Sequence, residues 1–379
     1  MSSQLTLAEK MKFGLFFGGI RVTPEAESFV MRPYGERPLT LADYASTSGI
    51  TLMLERDVWV NAPIASHNPN MVFDPRHELR VEDERLFVRD IDSGVEVVAR
   101  FVPVPAYYNQ RNQQGELFTE YIHTHADRAR ITPVWGCAMR CQFCDIPYRF
   151  KGRYHLSPIT PLLEAAARAI HDPVQPAMHL LISGGTPGKR DYPYLREVYR
   201  SVIAEFKGID TDVMMAPIPE VVDVDELAEI GVNELSLNTE IWDLELARKI
   251  MPEKYRQGRT FYLEFIARAI DRLGRGRVRS ILMVGLEEPE STLEGIEALA
   301  KIGCVPVLSP FRPDPITVLA NLPPPSVETI VRVFLEATDI ALKYGIKLGP
   351  HCIPCSHNTM TLADGSDYYG YHAHRPNLI

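Results

Sequence analysis

Arg130-Ile-Thr-Pro-Val-Trp135, Gly136, then Cys137-Ala-Met-Arg-Cys141-Gln-Phe-Cys144 is the stretch from which the rest of the chain can be read. A β-rich run leads through a glycine into a loop with three cysteines in eight residues. Five more short apolar runs follow at intervals: Met178 to Ser183, Asp212 to Ala216, Glu234 to Asn238, Arg279 to Val284 and Val305 to Ser309. Helical patterns separate them, which is the signature of repeated βα units around a parallel sheet. Six units predict a partial (β/α)6 barrel of TIM type over 126–320. The cysteine loop then lies at the C-terminal end of the first barrel strand, where α/β barrels build their active sites.

Local signals support the helices. Thr160 before Pro161 reads as an N-cap followed by proline in the first turn. Ser291-Thr-Leu-Glu294 reads as a capping box, with Gly303 ending that helix. Residues 1–125 read as an N-terminal β-rich accessory segment, with runs at Phe87 to Asp90 and Val95 to Val102 joined by a turn at Gly94. Beyond the barrel, the prolines of 313–325 make a rigid connection. Val327, Ile330, Val331, Phe334, Leu335, Ala341 and Leu342 then recur at helical spacing up to Gly345. Residues 321–379 form a C-terminal helix and a Cys/His tail.

Composition narrows the function. The 379 residues are 45% hydrophobic and 23% charged, a balance that supports a globular core. A net charge of -9 offers no basic footprint for nucleic acid. No apolar run is long enough to span a membrane and no secretory pattern opens the chain, so a cytoplasmic protein without a membrane partner is expected. Six cysteines are too few for a disulfide scaffold, and their grouping points to metal. Three thiolates can hold three irons of a four-iron four-sulfur cluster and leave the fourth open, whereas a closed structural zinc would want four protein ligands. Cys304, alone among apolar neighbours, reads as core.

Cys137-x3-Cys141-x2-Cys144, with Phe143 before the last cysteine, resembles the cluster loop of the radical S-adenosylmethionine (SAM) superfamily. The likeness runs over about residues 128–320, with biotin-synthase-like, sulfur-inserting members as the nearest look-alikes. It implies a 4Fe-4S cluster on Cys137, Cys141 and Cys144, with SAM on the open iron and Phe143 against adenine. Ser183-Gly184-Gly185-Thr186 resembles the family's Gly-Gly-Glu motif for the SAM amino group, with Thr186 in place of glutamate. Asn238 and Glu240 resemble its ribose and methionine contacts, and Arg259 its partner for the SAM carboxylate. The resemblance further implies an oxygen-sensitive enzyme in which reductive cleavage of SAM gives a 5'-deoxyadenosyl radical that abstracts hydrogen. Its substrate would be a small or carrier-bound molecule, and its electrons would come from a donor such as flavodoxin or ferredoxin.

Cys352-Ile-Pro-Cys355, flanked by His351 and His357, is a metal-type cluster. It is open to an auxiliary iron–sulfur cluster serving sulfur insertion, to zinc, or to free thiols or a redox pair. If the tail serves another purpose, the reaction is a rearrangement, lyase step or methylation. A non-catalytic zinc protein or binding module is the reading from another class. If the tail crosses the barrel mouth, His351, His357 and His372 are candidates to touch substrate.

Overall fold

The computed structural model describes residues 5–35, 49–64, 74–149, 153–363 and 377–379. The N-terminal part begins with helices α1 (Leu7–Gly18) and α2 (Pro24–Met31) and strands β1 (Ile20–Val22), β2 (Gly49–Leu54), β3 (Val58–Pro63), β4 (His77–Glu82), β5 (Arg85–Asp90) and β6 (Glu96–Phe101). These strands form one six-stranded sheet in the order β1-β4-β5-β6-β2-β3, antiparallel except for the β1–β4 pair. The β5–β6 hairpin is the predicted one, and Gly94 takes a φ of 71° in its turn. Thr6 and Glu9 close α1 with a reciprocal capping box.

The second sheet holds seven strands. An antiparallel edge strand, β7 (Ile122–His125), joins β8 (Arg128–Ile131), which runs parallel with β11 (His179–Ile182), β12 (Thr211–Met214), β13 (Leu235–Ser236), β14 (Val278–Val284) and β15 (Val305–Pro310). Between β8 and β11, β9 (Val134–Trp135) and β10 (His155–Leu156) make a small antiparallel pair at the mouth. Helices α3 (Ile146–Arg149), α4 (Ile159–Ile170), α5 (Tyr192–Glu205), α6 (Val224–Ile230), α7 (Leu244–Ile250), α8 (Pro252–Gln257), α9 (Arg259–Leu273) and α10 (Pro289–Lys301) follow the strands in βα order, and α11 (Val327–Lys343) ends the array. The result is an α/β half-barrel of six parallel strands, the partial (β/α)6 architecture expected.

Two helix starts differ from expectation. Helix α4 begins at Ile159 with Pro158 before it, because the extended backbone of that proline already sets the entry. Helix α10 begins at Pro289, and Ser291 and Thr292 instead donate to the Glu287 carboxylate at 3.3 and 3.0 Å. Proline at the first helical position costs no hydrogen bond, so it outcompetes the serine as the start.

Pleating decides what lines the barrel. On β8, Ala129 and Ile131 are fully buried, and they alternate with Arg128 and Arg130. On β7, His125 stands opposite Arg128 and His123 opposite Arg130. The inward side is therefore basic and aromatic-nitrogen-rich. At the N-terminal ends of the strands, Arg279 bridges Asp212 at 3.1 Å and also pairs with Glu234, all three buried.

The tail closes the open flank between β15 and β7. Gly349 donates to Pro306 and Met360 to Leu308 on β15, while the His357 ring lies 6.3 Å from that of His125 on β7. Lys12 of α1, fully buried, donates to the carbonyls of Ser356 and Thr361 at 3.0 and 2.6 Å. The described part of the tail does not cross the mouth. His351 bonds to Gly276, just below β14, and His372 lies outside the described residues.

Candidate active site at the barrel mouth

The cysteine loop leaves the mouth after β9, turning at Gly136, whose φ of 82° suits glycine. It is anchored on both sides. Toward α7 and α8, Gln142 donates to the carbonyls of Ile250 and Lys249, and the Arg140 backbone donates to Glu253 at 3.2 Å. Toward β11, Ala138 donates to Thr186 at 2.8 Å. A Cβ on Gly185 would fall 1.6 Å from the Gly136 carbonyl oxygen, so only glycine lets the two backbones meet.

Two backbone amides point at one sulfur: Met139 and Thr186 donate to Cys137 Sγ at 3.3 and 3.2 Å. Cys141 is buried and the other two are half-buried. Burial pushes the Cys141 thiol up to about 11 and Cys144 higher still, the latter aided by Asp145. Binding to iron, which demands thiolates, reverses that preference. Among the described residues, the ligand atoms gathered within 4.8 Å of one another are those of Asp127, His179, Cys352 and Cys355 and do not include this triplet.

Beside the loop, Glu240 holds a left-handed backbone at φ 64°, uncommon for a residue with a side chain. Its N–H bonds to Ile281 and its carbonyl receives Met283, both at 2.8 Å, so β14 fixes it in place. Its carboxylate pairs with Lys254 at 3.0 Å, and Lys254 also donates to the Asn238 carbonyl at 3.0 Å. Burial works against the Lys254 ammonium, but Glu240, Tyr262 and Cys141 outweigh it and hold it charged above the usual lysine range.

The sequence-derived residues thus fall in two groups. Cys137, Cys141, Cys144, Gly184, Gly185 and Thr186 meet at one place, and Asn238 and Glu240 meet Lys254, which lies in the field of Cys141. Phe143 is half-buried against the core. The Asn238 side-chain oxygen accepts from Ser236 and Ile281, tying β13 to β14. Arg259 stands at the start of α9, its guanidinium 4.2 Å over the Trp242 ring and bonded to the Trp242 carbonyl. Both line a pocket with Thr239, Met251, Lys254 and Tyr262. Lys254 was not singled out from sequence, because a lysine in a polar helix start looks like a solvated charge. Cys352 and Cys355 are buried at the other end of the strands, against Asp127 and His179.

Fold and site together define an α/β half-barrel with an iron–sulfur-type cysteine loop at its mouth. Residues 131–300 match the sequence model of the radical SAM superfamily. That segment is a radical SAM domain. No curated protein matches this sequence. Among solved structures, it is similar to the FeFe-hydrogenase maturase HydG from Carboxydothermus hydrogenoformans, at 18% identity over 61% of this chain and 56% of that one, with a TM-score of 0.47. It is also similar to a radical SAM methyltransferase from Sphaerobacter thermophilus, at 18% identity over 72% and 74% of the two chains, TM-score 0.46. Coproporphyrinogen III oxidase from Escherichia coli aligns at 16% identity over 63% and 58%, TM-score 0.42.

Proposed function

We propose that the chain binds SAM at this mouth, against a 4Fe-4S cluster on Cys137, Cys141 and Cys144, and abstracts hydrogen from a small anionic substrate held inside the barrel. When bound, the cluster supplies the single electron that splits the sulfonium to methionine and a 5'-deoxyadenosyl radical. The chain's own residues bind and orient. Lys254 pairs with the SAM carboxylate, and Glu240 accepts from the ammonium or ribose hydroxyls. Gly184, Gly185 and Thr186 offer backbone groups to the amino end, Phe143 packs on adenine and Asn238 braces the strand end beside it. Arg259, laid on Trp242, walls the pocket from the side. The observation that carries this reading is the pair of amides on Cys137 with the Lys254–Glu240 pair next to Cys141.

Arg130 on the inward side of β8 favours an anionic substrate, since a guanidinium grips a carboxylate or phosphate through paired hydrogen bonds. Burial of Cys352 and Cys355 at the opposite end of the same strands favours a rearrangement, lyase or methylation step over sulfur insertion. A reductant of flavodoxin or ferredoxin type would deliver the electron.

Anaerobic reconstitution, reduction in the presence of SAM and quantification of 5'-deoxyadenosine test the proposal. The expected result is about four irons per chain and SAM cleavage lost in Cys141→Ala. About eight irons per chain would restore sulfur insertion as the better reading. Acidic small molecules co-purifying with the chain, and lost in Arg130→Met, would identify the substrate class.

A further inference from the structure

The far end of the barrel carries a second constellation, remote from the cysteine loop. Asp127 immediately precedes β8, His179 opens β11, and Cys352 and Cys355 come from the tail. All four are at most 4% exposed, and one ligand atom from each lies within 4.8 Å of the others. Asp127 Oδ1 is 3.3 Å from Cys352 Sγ, 3.7 Å from Cys355 Sγ and 3.6 Å from His179 Nε2, which is 3.4 Å from Cys355 Sγ. A tetrahedral ion with zinc bond lengths requires sulfur–nitrogen and sulfur–oxygen edges of about 3.6 Å and a nitrogen–oxygen edge of about 3.4 Å. Four edges already match.

The fifth does not: the two sulfurs are 2.7 Å apart, and a tetrahedral pair needs about 3.8 Å. Parting them takes about 1 Å, within reach of side-chain torsions alone. Charge and hydrogen bonding also call for a cation. Asp127 Oδ2 is buried without a hydrogen-bond partner. Two thiolates and a carboxylate sum to -3. A divalent ion with the half-buried Arg128, which lies in the field of both sulfurs and of Asp127, brings that to neutrality.

We propose that Asp127, His179, Cys352 and Cys355 bind one zinc ion in a closed four-ligand site on the barrel floor, stapling the tail to the base of β8 and β11. The mixed sulfur, nitrogen and oxygen set at tetrahedral spacing suits zinc, and with no open position the site is structural. A two-iron cluster would place the two ligand pairs on different metals, farther apart than these atoms lie. The strands put roughly 10 Å or more between this floor and the mouth, so the ion acts on the fold and not on SAM. The ligands are 225 residues apart along the chain between Asp127 and Cys352, and closing so long a loop is where a clip stabilises most.

Zinc K-edge X-ray absorption on the unaltered, anaerobically purified chain tests this directly, and a 4Fe-4S cluster contributes nothing to that edge. Expected are about one zinc per chain, two sulfurs near 2.3 Å and two nitrogen or oxygen neighbours near 2.0–2.1 Å. A triple variant, Cys137→Ala with Cys141→Ala and Cys144→Ala, should keep the zinc while losing iron. Adding Cys355→Ser should weaken zinc binding by more than roughly a hundredfold. Cobalt titrated into the zinc-free triple variant should give sulfur-to-metal charge-transfer bands, a readout that survives if the quadruple variant fails to fold. Absence of zinc, iron and sulfide retained by the triple variant, or a Cys352–Cys355 disulfide in the anaerobic protein would each overturn the proposal. None of these outcomes bears on SAM cleavage, so the two proposals fail separately.

Discussion

Gly185→Ala should uncouple the cysteine loop from the barrel while leaving the fold in place. The added Cβ would sit 1.6 Å from the Gly136 oxygen and 2.6 Å from its carbonyl carbon, about 2 Å short of an ordinary non-bonded contact. Both atoms are backbone and neither strand end can rotate away, so the two segments must separate. Separation breaks Thr186 N–H to Cys137 Sγ and Ala138 N–H to the Thr186 carbonyl. Two hydrogen bonds at about 1 kcal/mol each, with about 1–3 kcal/mol for overpacking, give about 3–5 kcal/mol. Expressed on the cluster-bound state, that lowers cluster retention by roughly a hundred- to several-thousandfold. Two neighbours grade the effect. At Gly184 a Cβ meets Val134 O at 3.1 Å, predicting a partial loss; at Gly188 nothing comes closer than 3.7 Å, predicting none. Iron and sulfide per chain after anaerobic reconstitution, with circular dichroism melting alongside, measure the series. If Gly185→Ala loads as much iron as the parent, the close approach does not organise the loop.

Lys254→Met, paired with Glu240→Gln so that no carboxylate is left buried alone, should raise the KM for SAM by tenfold or more while iron content holds; Arg259→Met should change it less. An unchanged KM in the double variant would remove Lys254 from the site. Burial lowers the Lys12 pKa to about 7, below its value of 10.5 in an unfolded chain. The unfolded state then binds more protons between these values, so stability rises with pH there and is fully penalised below about pH 7. Relative to Lys12→Met, the parent should gain up to about 1.4 kcal/mol per pH unit between about pH 7 and 9 in urea melts, and a flat difference would refute it. Arg279→Met strands Asp212 and Glu234 in the floor and should cost about 3–5 kcal/mol of stability. The folded fraction of that variant should still cleave SAM, which steady-state assays corrected for folded protein would check.

The half-barrel was legible because the parallel strands after β8 are buried on both faces for most of their length and show up as short runs between helical periods. The cysteine loop was legible because three thiols in eight residues have few structural uses. The caps of α4 and α10 lie about two and three residues ahead of the Thr160 and Ser291 expected, since Pro158 sets the entry to α4 and Pro289 the start of α10 without a serine or threonine cap. Lys254 and His179 could not be found by pattern. Each acquires its meaning from residues in other elements: Glu240 14 positions away for Lys254, Cys355 176 away for His179. The pairing of Cys352 with Cys355 was readable as a metal-type spacing, but Asp127 and His179, which the fold brings beside them, were not.

Lys12 and its acceptor at Ser356 are 344 residues apart. At about 5–20 residues per second, a ribosome needs roughly 17 to 70 s to travel between them. Throughout that interval, helix α1 has emerged with an ammonium group on the side that will become interior and no carbonyl to receive it. The nascent chain therefore cannot complete the packing of α1 until Ser356 and Thr361 have been made, so the order in which the chain is synthesised leaves this contact among the late ones to form.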